Sequence, residues 1–265
     1  MKATKSIFDG SNQISRTIEA NEAKRRGGRA LIPKKIHYCW FGKNKKPNLA
    51  QKCIDSWKKY CPDYEIIEWN EDNFKINDYP YARYCLDNKK WAFLSDFVRL
   101  EVVAEYGGIY FDTDVELVKK PDELLRFEAF YGFENNQNIA TGLGFGAQAN
   151  HPTILAMRQQ YLELQPLADG TYPEIVCPAL NTEALLPFGL TLNGLRQNVA
   201  GAEILPADYL NPYDDPTGRL NKTENTISIH WYSKSWLSKG TILRSKITRP
   251  LHRMFGVDAF KKFRK

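Results

Sequence analysis

The sequence predicts an α/β fold: a Rossmann-like mixed central sheet with helical additions. Three observations carry it. Residues 32–42, 47–60 and 64–69 read as strand, amphipathic helix and strand, and a further helix and strand follow, which is a parallel α/β succession. After Ser95, the residues Phe97, Val98, Val102, Val103 and Tyr106 recur at helical spacing, and the helix is stopped by Gly107-Gly108, a conformation cheap only for glycine. The run Ile109-Tyr110-Phe111 then reads as a short buried strand, and it delivers Asp112 and Asp114 at its C-terminal end, where open α/β sheets bind ligands.

Each element has its own signal. In residues 1–30, Ile14, Ile18 and Ala23 predict one appended helix. The strand at 32–42 opens the catalytic unit and breaks at Gly42; the helix at 47–60 presents Ala50, Cys53, Ile54, Trp57 and Tyr60 on one stripe. Helical turns are expected around 81–86, and Ser95 is expected to cap the helix that follows. Beyond Asp114, residues 115–118 predict a strand and 121–125 a helical turn. Strands are expected at 129–133 and 139–145, the second interrupted by glycines 142 and 144, with 146 just beyond, which admit a ligand or a second backbone. His151-Pro152 opens a helix to Leu164, and Cys177 starts another. Residues 190–220 are loop-rich, with a strand at 202–205. The alternating stretch 226–230 ends in His230.

Length and charge bound the rest. With 265 residues and 43% hydrophobic content the chain can bury a substantial core. No apolar run approaches the roughly 20 residues that span a bilayer, and no signal-peptide core is legible, so a cytoplasmic protein is expected. Five cysteines without a Cys-x-x-Cys pair predict reduced, buried thiols. Residues 234–265 carry ten Lys or Arg against Asp258 alone, and residues 1–36 nine against three acids, so the middle is acidic although the total is +6. Three units are expected: an appendage at 1–30, a catalytic domain at 31–240 and a basic amphipathic tail at 241–265. In the tail, Arg249-Pro250 is expected to break any preceding helix, and Leu251, Met254, Phe255, Phe260 and Phe263 recur among basic residues.

Two aspartates one residue apart offer hard oxygen ligands to Mg²⁺ or Mn²⁺. Asp96 and Arg99 are one helical turn apart and share a face, either as a surface ion pair or pointing into the crevice. His230 is a candidate imidazole ligand beside Asp114. His37, in mid-strand, reads as structural, and Trp40 as a core aromatic at the strand end.

The pattern Ser95-Asp96-x-x-Arg99 followed by Tyr106-Gly-Gly-Ile-Tyr-Phe-Asp112-x-Asp114-Val closely resembles the sugar-binding region of glycosyltransferase family 32. That family includes an initiating mannosyltransferase and capsule and lipopolysaccharide transferases, and resembles in fold the glucosylating domains of large clostridial toxins. Ile32-Pro-Lys-x-Ile-His37-x-x-Trp40 resembles the family's opening, and His230-x-x-x-x-Ser235-Trp236 its C-terminal element. The resemblance implies a type A transferase fold and a retaining, metal-dependent transfer from a nucleotide-sugar, expected to be a UDP-sugar, to a glycan or lipid-linked acceptor. It gives Trp40 the place of the residue that stacks on the donor base, and makes Asp96, Arg99 and Asp112 donor contacts. Asp114, Asp112 and His230 become metal ligands, and Ser235 with Trp236 diphosphate contacts. Cys177 replaces a glycine of the family's Gly-Pro-x-x-x-Thr segment near the acceptor. The basic tail is expected to meet an anionic membrane surface, and no nucleic-acid partner is expected. Two other classes fit parts of the pattern: a haloacid-dehalogenase-type phosphatase using Asp112, and a non-catalytic sugar- or nucleic-acid-binding module.

Overall fold

A computed structural model describes residues 31–233, 240, 248–250 and 252–256. The first strand, β1 (Lys35–Cys39), pairs in parallel with β2 (Glu65–Trp69) on one side and β3 (Gly108–Tyr110) on the other. The sheet continues through β7 (Phe145–Ala147), β5 (Ala129–Asn135), β9 (Ala202–Leu205) and β8 (Gln197–Val199), giving the order β2-β1-β3-β7-β5-β9-β8. A short β6 (Asn138–Ile139) pairs with β5 off that path. β7 runs antiparallel to both neighbours and β8 to β9. Every other strand on the path points one way, so the sheet is mixed but mostly parallel, as the sequence predicts.

Helices cover both faces. On one lie α2 (Pro80–Asp87), α3 (Trp91–Tyr106), α4 (Pro152–Leu162) and α5 (Cys177–Leu185), around Cys85, Phe97, Val103, Met157, Tyr161 and Leu180. On the other, α1 (Asn48–Tyr60) sets Cys53, Ile54 and Trp57 against Ile36, Tyr38, Ile109 and Phe111. All five cysteines are buried and unpaired.

α3 is the pivot. It is buried on nearly all sides from Phe97 to Ala104, and it starts at Trp91, one turn before the expected cap: Ser95 Oγ donates 2.9 Å back to the Trp91 carbonyl instead of capping. Its end is as expected. Gly107 (φ +62°) and Gly108 (φ +124°) turn the chain directly into β3, and a Cβ on Gly108 would lie 2.8 Å from His37 Nε2. At 139–145 the strand expected to be interrupted by glycines is divided outright, into β6, a 3₁₀ turn (Thr141–Leu143) and β7. Gly144, at φ +112°, breaks the run and starts the last piece.

Two small ribbons complete the frame: β4 (Val115–Leu117) with β12 (Ser228–His230), and β10 (Tyr213–Asp214) with β11 (Arg219–Leu220). Trp57 Nε1 donates 2.8 Å to the Val115 carbonyl, fixing the first ribbon to α1. Residues 248–250 and 252–255 are helical; the residues just before them, on which the expected break at Arg249-Pro250 turns, lie outside the described residues. The appendage at 1–30, Ser235 and Trp236, and Leu251, Phe260 and Phe263 of the tail lie outside the described residues.

Candidate active site

Phe111 is the last residue held by the sheet, its N–H bonding the His37 carbonyl at 3.1 Å. The chain then turns, Val115 N–H closing on the Asp112 carbonyl at 2.9 Å, so Asp112 and Asp114 stand in the turn between β3 and β4. Pairing of β4 with β12 sets His230 opposite Val115, next to Asp114. Two segments more than a hundred residues apart in sequence thereby deliver three ligand-type side chains to one point: atoms of Asp112, Asp114 and His230 lie within 4.8 Å of one another.

The three are not equivalent. His230 Nε2 is 3.1 Å from Asp114 Oδ1, and Asp114 Oδ2 accepts the Ser233 N–H at 2.7 Å. Burial alone would raise the Asp114 pKa, but the His230 charge and these hydrogen bonds hold it well below the usual carboxylate range. Burial opposes protonation of His230, yet Asp114, Asp112 and Glu134 raise its pKa overall. Asp112, half-buried beside Asp114, is pushed up by desolvation despite Arg99; its Oδ1 accepts the Tyr110 hydroxyl at 2.9 Å. The set suits a hard divalent cation. Adjacent ligands of an octahedral ion with bonds of about 2.1 Å stand about 3 Å apart, and the His230–Asp114 atoms have that spacing.

Behind Asp112 lies a drier polar cluster. Asp96 and Arg99 are paired in α3 and buried, with side chains 14% and 3% accessible, so the surface-pair account is excluded. Arg99 also reaches Asp112 at 3.5 Å, while its Nη1 is buried with no partner among the described residues. A Cβ added at Gly142 would come within 2.6 Å of Asp112 Oδ2 and 3.0 Å of that Nη1, so the glycine keeps the cluster open, as its place in a glycine-spaced run suggests. Burial, with Asp112 nearby, lifts Asp96 to about 6 against the pull of Arg99, and burial lifts the Cys177 thiol to about 12. That thiol is no nucleophile. Asn181 and Thr182 of α5 fasten the 3₁₀ turn from behind: Asn181 Oδ1 accepts the Thr141 hydroxyl at 2.9 Å, and Thr182 Oγ1 the Ile139 N–H at 2.9 Å.

The remaining predicted residues divide. Trp40 is half-buried at the end of β1, its Nε1 bonded to the Asn44 carbonyl at 2.7 Å and Lys46 Nζ 5.6 Å from its ring centre, so it is not a core residue. His37 is structural, fully buried between the Gly107 carbonyl (2.9 Å) and Trp69 Nε1 (3.1 Å). His151 caps α4 as expected. Sequence reasoning missed Tyr110 as the partner of Asp112, the Ser233 N–H, and Tyr232. Tyr232 takes a left-handed φ of +48°, its ring centre 4.1 Å from that of His230. A lone tyrosine carries no sequence signal for such a conformation.

Comparison with known proteins meets this geometry at the same residues: the family model for the glycosyltransferase sugar-binding region containing a DXD motif matches residues 47–131. Those residues are a glycosyltransferase sugar-binding region. The match spans α1, β2, α2, α3 and the Asp112–Asp114 turn and leaves His230 outside it. Inositol phosphoceramide mannosyltransferase 3 of Schizosaccharomyces pombe is 34% identical over 133 residues, 48% of this chain and 36% of the relative. Mannosyl phosphorylinositol ceramide synthase SUR1 of Saccharomyces cerevisiae is 30% identical over 132 residues, 47% and 33% respectively. The chain thus spans about a third of the length of these curated relatives. Among solved structures, the PaToxG glycosyltransferase is similar with a TM-score of 0.46 at 18% identity, covering 67% of this chain and 77% of that one.

Proposed function

We propose that the chain transfers a sugar from a nucleotide-sugar to a glycan or lipid-linked acceptor, with a divalent cation held by Asp114, Asp112 and His230. The observation that carries this reading is the convergence of those three ligands beside a buried Arg99 with an unsatisfied Nη1. A bound Mn²⁺ or Mg²⁺ supplies Lewis-acid neutralisation of charge on the departing nucleoside diphosphate, worth several kcal/mol in such sites. The protein groups do the rest. Asp114 is kept ionised by its surroundings, and Tyr110 and Arg99 orient Asp112. Arg99 Nη1 and Asp112 Oδ2 face Gly142, and a donor hydroxyl brought to that edge would satisfy the orphaned guanidinium N–H.

Trp40, part-exposed at the end of β1, is the stacking surface for a base, with uracil the one the family resemblance favours. Ser235 and Trp236 are proposed as diphosphate contacts on the family resemblance alone. Retention of configuration is proposed on the resemblance alone. A role in surface polysaccharide synthesis and a cytoplasmic location, peripheral on the membrane face, complete the proposal; no described helix is long and apolar enough to cross a bilayer.

The test is hydrolysis of nucleotide-sugars without acceptor, scanned over donors with and without Mn²⁺. Metal-stimulated hydrolysis is expected for one donor class, and Asp114→Asn, isosteric but a weaker ligand, should lower it by a factor of about 100 or more, the scale of losing one electrostatic contact to a transition state. A folded Asp114→Asn protein with wild-type, metal-stimulated activity would sink the reading.

A further inference from the structure

Past Tyr232 the site opens into a cavity of about 560 Å³ lined by Glu134, Asp208, Asn211, Tyr213, Asp214 and Tyr232, among others. Its volume lies in the range of small-molecule sites, roughly 300–1,000 Å³. Tyr232 is the shared wall: its ring packs on His230, and its hydroxyl accepts from Asn211 Nδ2 at 2.8 Å and stands 3.3 Å from Glu134 Oε1. A bulky residue in the left-handed region is a strained placement, held here by those bonds. Asn211 Oδ1 is buried and without a partner among the described residues. Aromatic faces, amides and carboxylates are the groups that suit a polyhydroxylated ring.

The charge of the lining is one-sided. Asp215 is paired with Arg249 at 3.0 Å, but Glu134, Asp208 and Asp214 form no ion pair with a described residue. Their oxygens take hydroxyl or amide donors instead: Asp208 from Thr223 and Asn225, Asp214 from Thr217, Glu134 from Tyr232. Arg219 lies across the β10–β11 ribbon from Asp214 without pairing with it. Three uncompensated carboxylates in one cavity repel a phosphate and attract an amine.

We propose that this cavity receives the acceptor, and that the acceptor unit is a sugar without phosphate, bound more tightly when it carries a free amine. The name acceptor rests on the donor site proposed above; the charge preference does not. It sets this chain apart from the phosphoceramides named for the two yeast relatives.

Saturation-transfer NMR on the full chain, with methyl mannoside, methyl glucosaminide and mannose 6-phosphate as probes, reads binding without turnover. The amine is expected to bind best and the phosphate about tenfold or more weaker than the neutral sugar, a gap that shrinks with added salt. The Asp208→Asn/Asp214→Asn double variant, checked for folding by thermal melting, should lose most of that gap; the single Asp214→Asn change is the fallback if the pair fails to fold. Equal binding of phosphate and neutral sugars by the wild type, an unchanged gap in a folded variant, or no binding of any of the three overturns the proposal. Nucleotide-sugar hydrolysis by the wild type, measured alongside, reports on the donor site separately.

Discussion

Two imidazoles in this fold have their pKa values moved in opposite directions by their surroundings. His230 faces carboxylates and is raised; His37 faces a carbonyl and an indole N–H, and burial takes it down to about 4. Since Trp69 donates to Nδ1, His37 must carry its proton on Nε2 to bond Gly107. The unfolded chain binds a proton near pH 6.5 and the folded chain only near 4, so this contribution to stability is complete above pH 6.5 and declines as pH falls towards 4. The loss is about 3 kcal/mol across that window. Urea melts from pH 7 to 4 should show it in the wild type and not in a His37→Gln protein, whatever the carboxylates add to both. At Trp40, stacking on a base predicts that Trp40→Ala weakens nucleotide binding by about 1–3 kcal/mol; calorimetry giving unchanged affinity in a folded variant would leave the ring with only its Asn44 bond. Asp112, Asp114, Asp96, Arg99 and His230 could be singled out in the sequence because they stand in motifs that resemble glycosyltransferase family 32; type and spacing alone left Asp96 and Arg99 open to a surface pair. Tyr110, Gly142 and Tyr232 act through positions that only the folded chain creates.

Among the elements, the helix-to-strand junction is the most demanding. Gly107 and Gly108 both have positive φ, and a Cβ on Gly108 would meet His37 Nε2 at 2.8 Å and the Lys35 carbonyl at 3.0 Å. Gly108→Ala therefore strains the backbone and displaces the His37 hydrogen bond, and should cost about 2–4 kcal/mol by denaturant titration. A loss under half a kcal/mol would mean that the junction relaxes. Elements with a clean period, such as α1 with its Cys53, Ile54 and Trp57 stripe, could be placed from sequence almost to the residue. The start of α3 could not, since a helix buried all round has no polar face to mark its first turn, and Ser95 has a second use in bonding back to Trp91. At 139–145 the glycines showed where the strand is interrupted but not by what: the hydrogen bonds from Thr141 and Ile139 to Asn181 and Thr182 that hold the 3₁₀ turn come from a distant helix.

At the scale of the molecule, charge is segregated, with an acidic centre between basic ends. The tail meets that centre directly. Arg249 pairs with Asp215, and Arg253 Nε donates to the Thr217 carbonyl at 2.6 Å, so arginine side chains fasten the segment to the β10–β11 ribbon beside the proposed acceptor cavity. Met254 and Phe255, 74% and 60% exposed, are left facing outwards. Under the proposed peripheral binding, the exposed Met254 and Phe255 would supply apolar insertion, and basic residues of the tail that are not engaged as Arg249 and Arg253 are would each contribute about 1 kcal/mol at an anionic leaflet. The proposed membrane role then predicts sedimentation with anionic vesicles that falls with salt, and little with neutral ones. Met254→Ser/Phe255→Ser should lower the bound fraction several-fold while keeping Arg249 and Arg253 on the ribbon, which truncation of the tail would not do. Equal recovery of both proteins in the supernatant at low salt would remove the membrane from the proposal and leave the segment a docked helix.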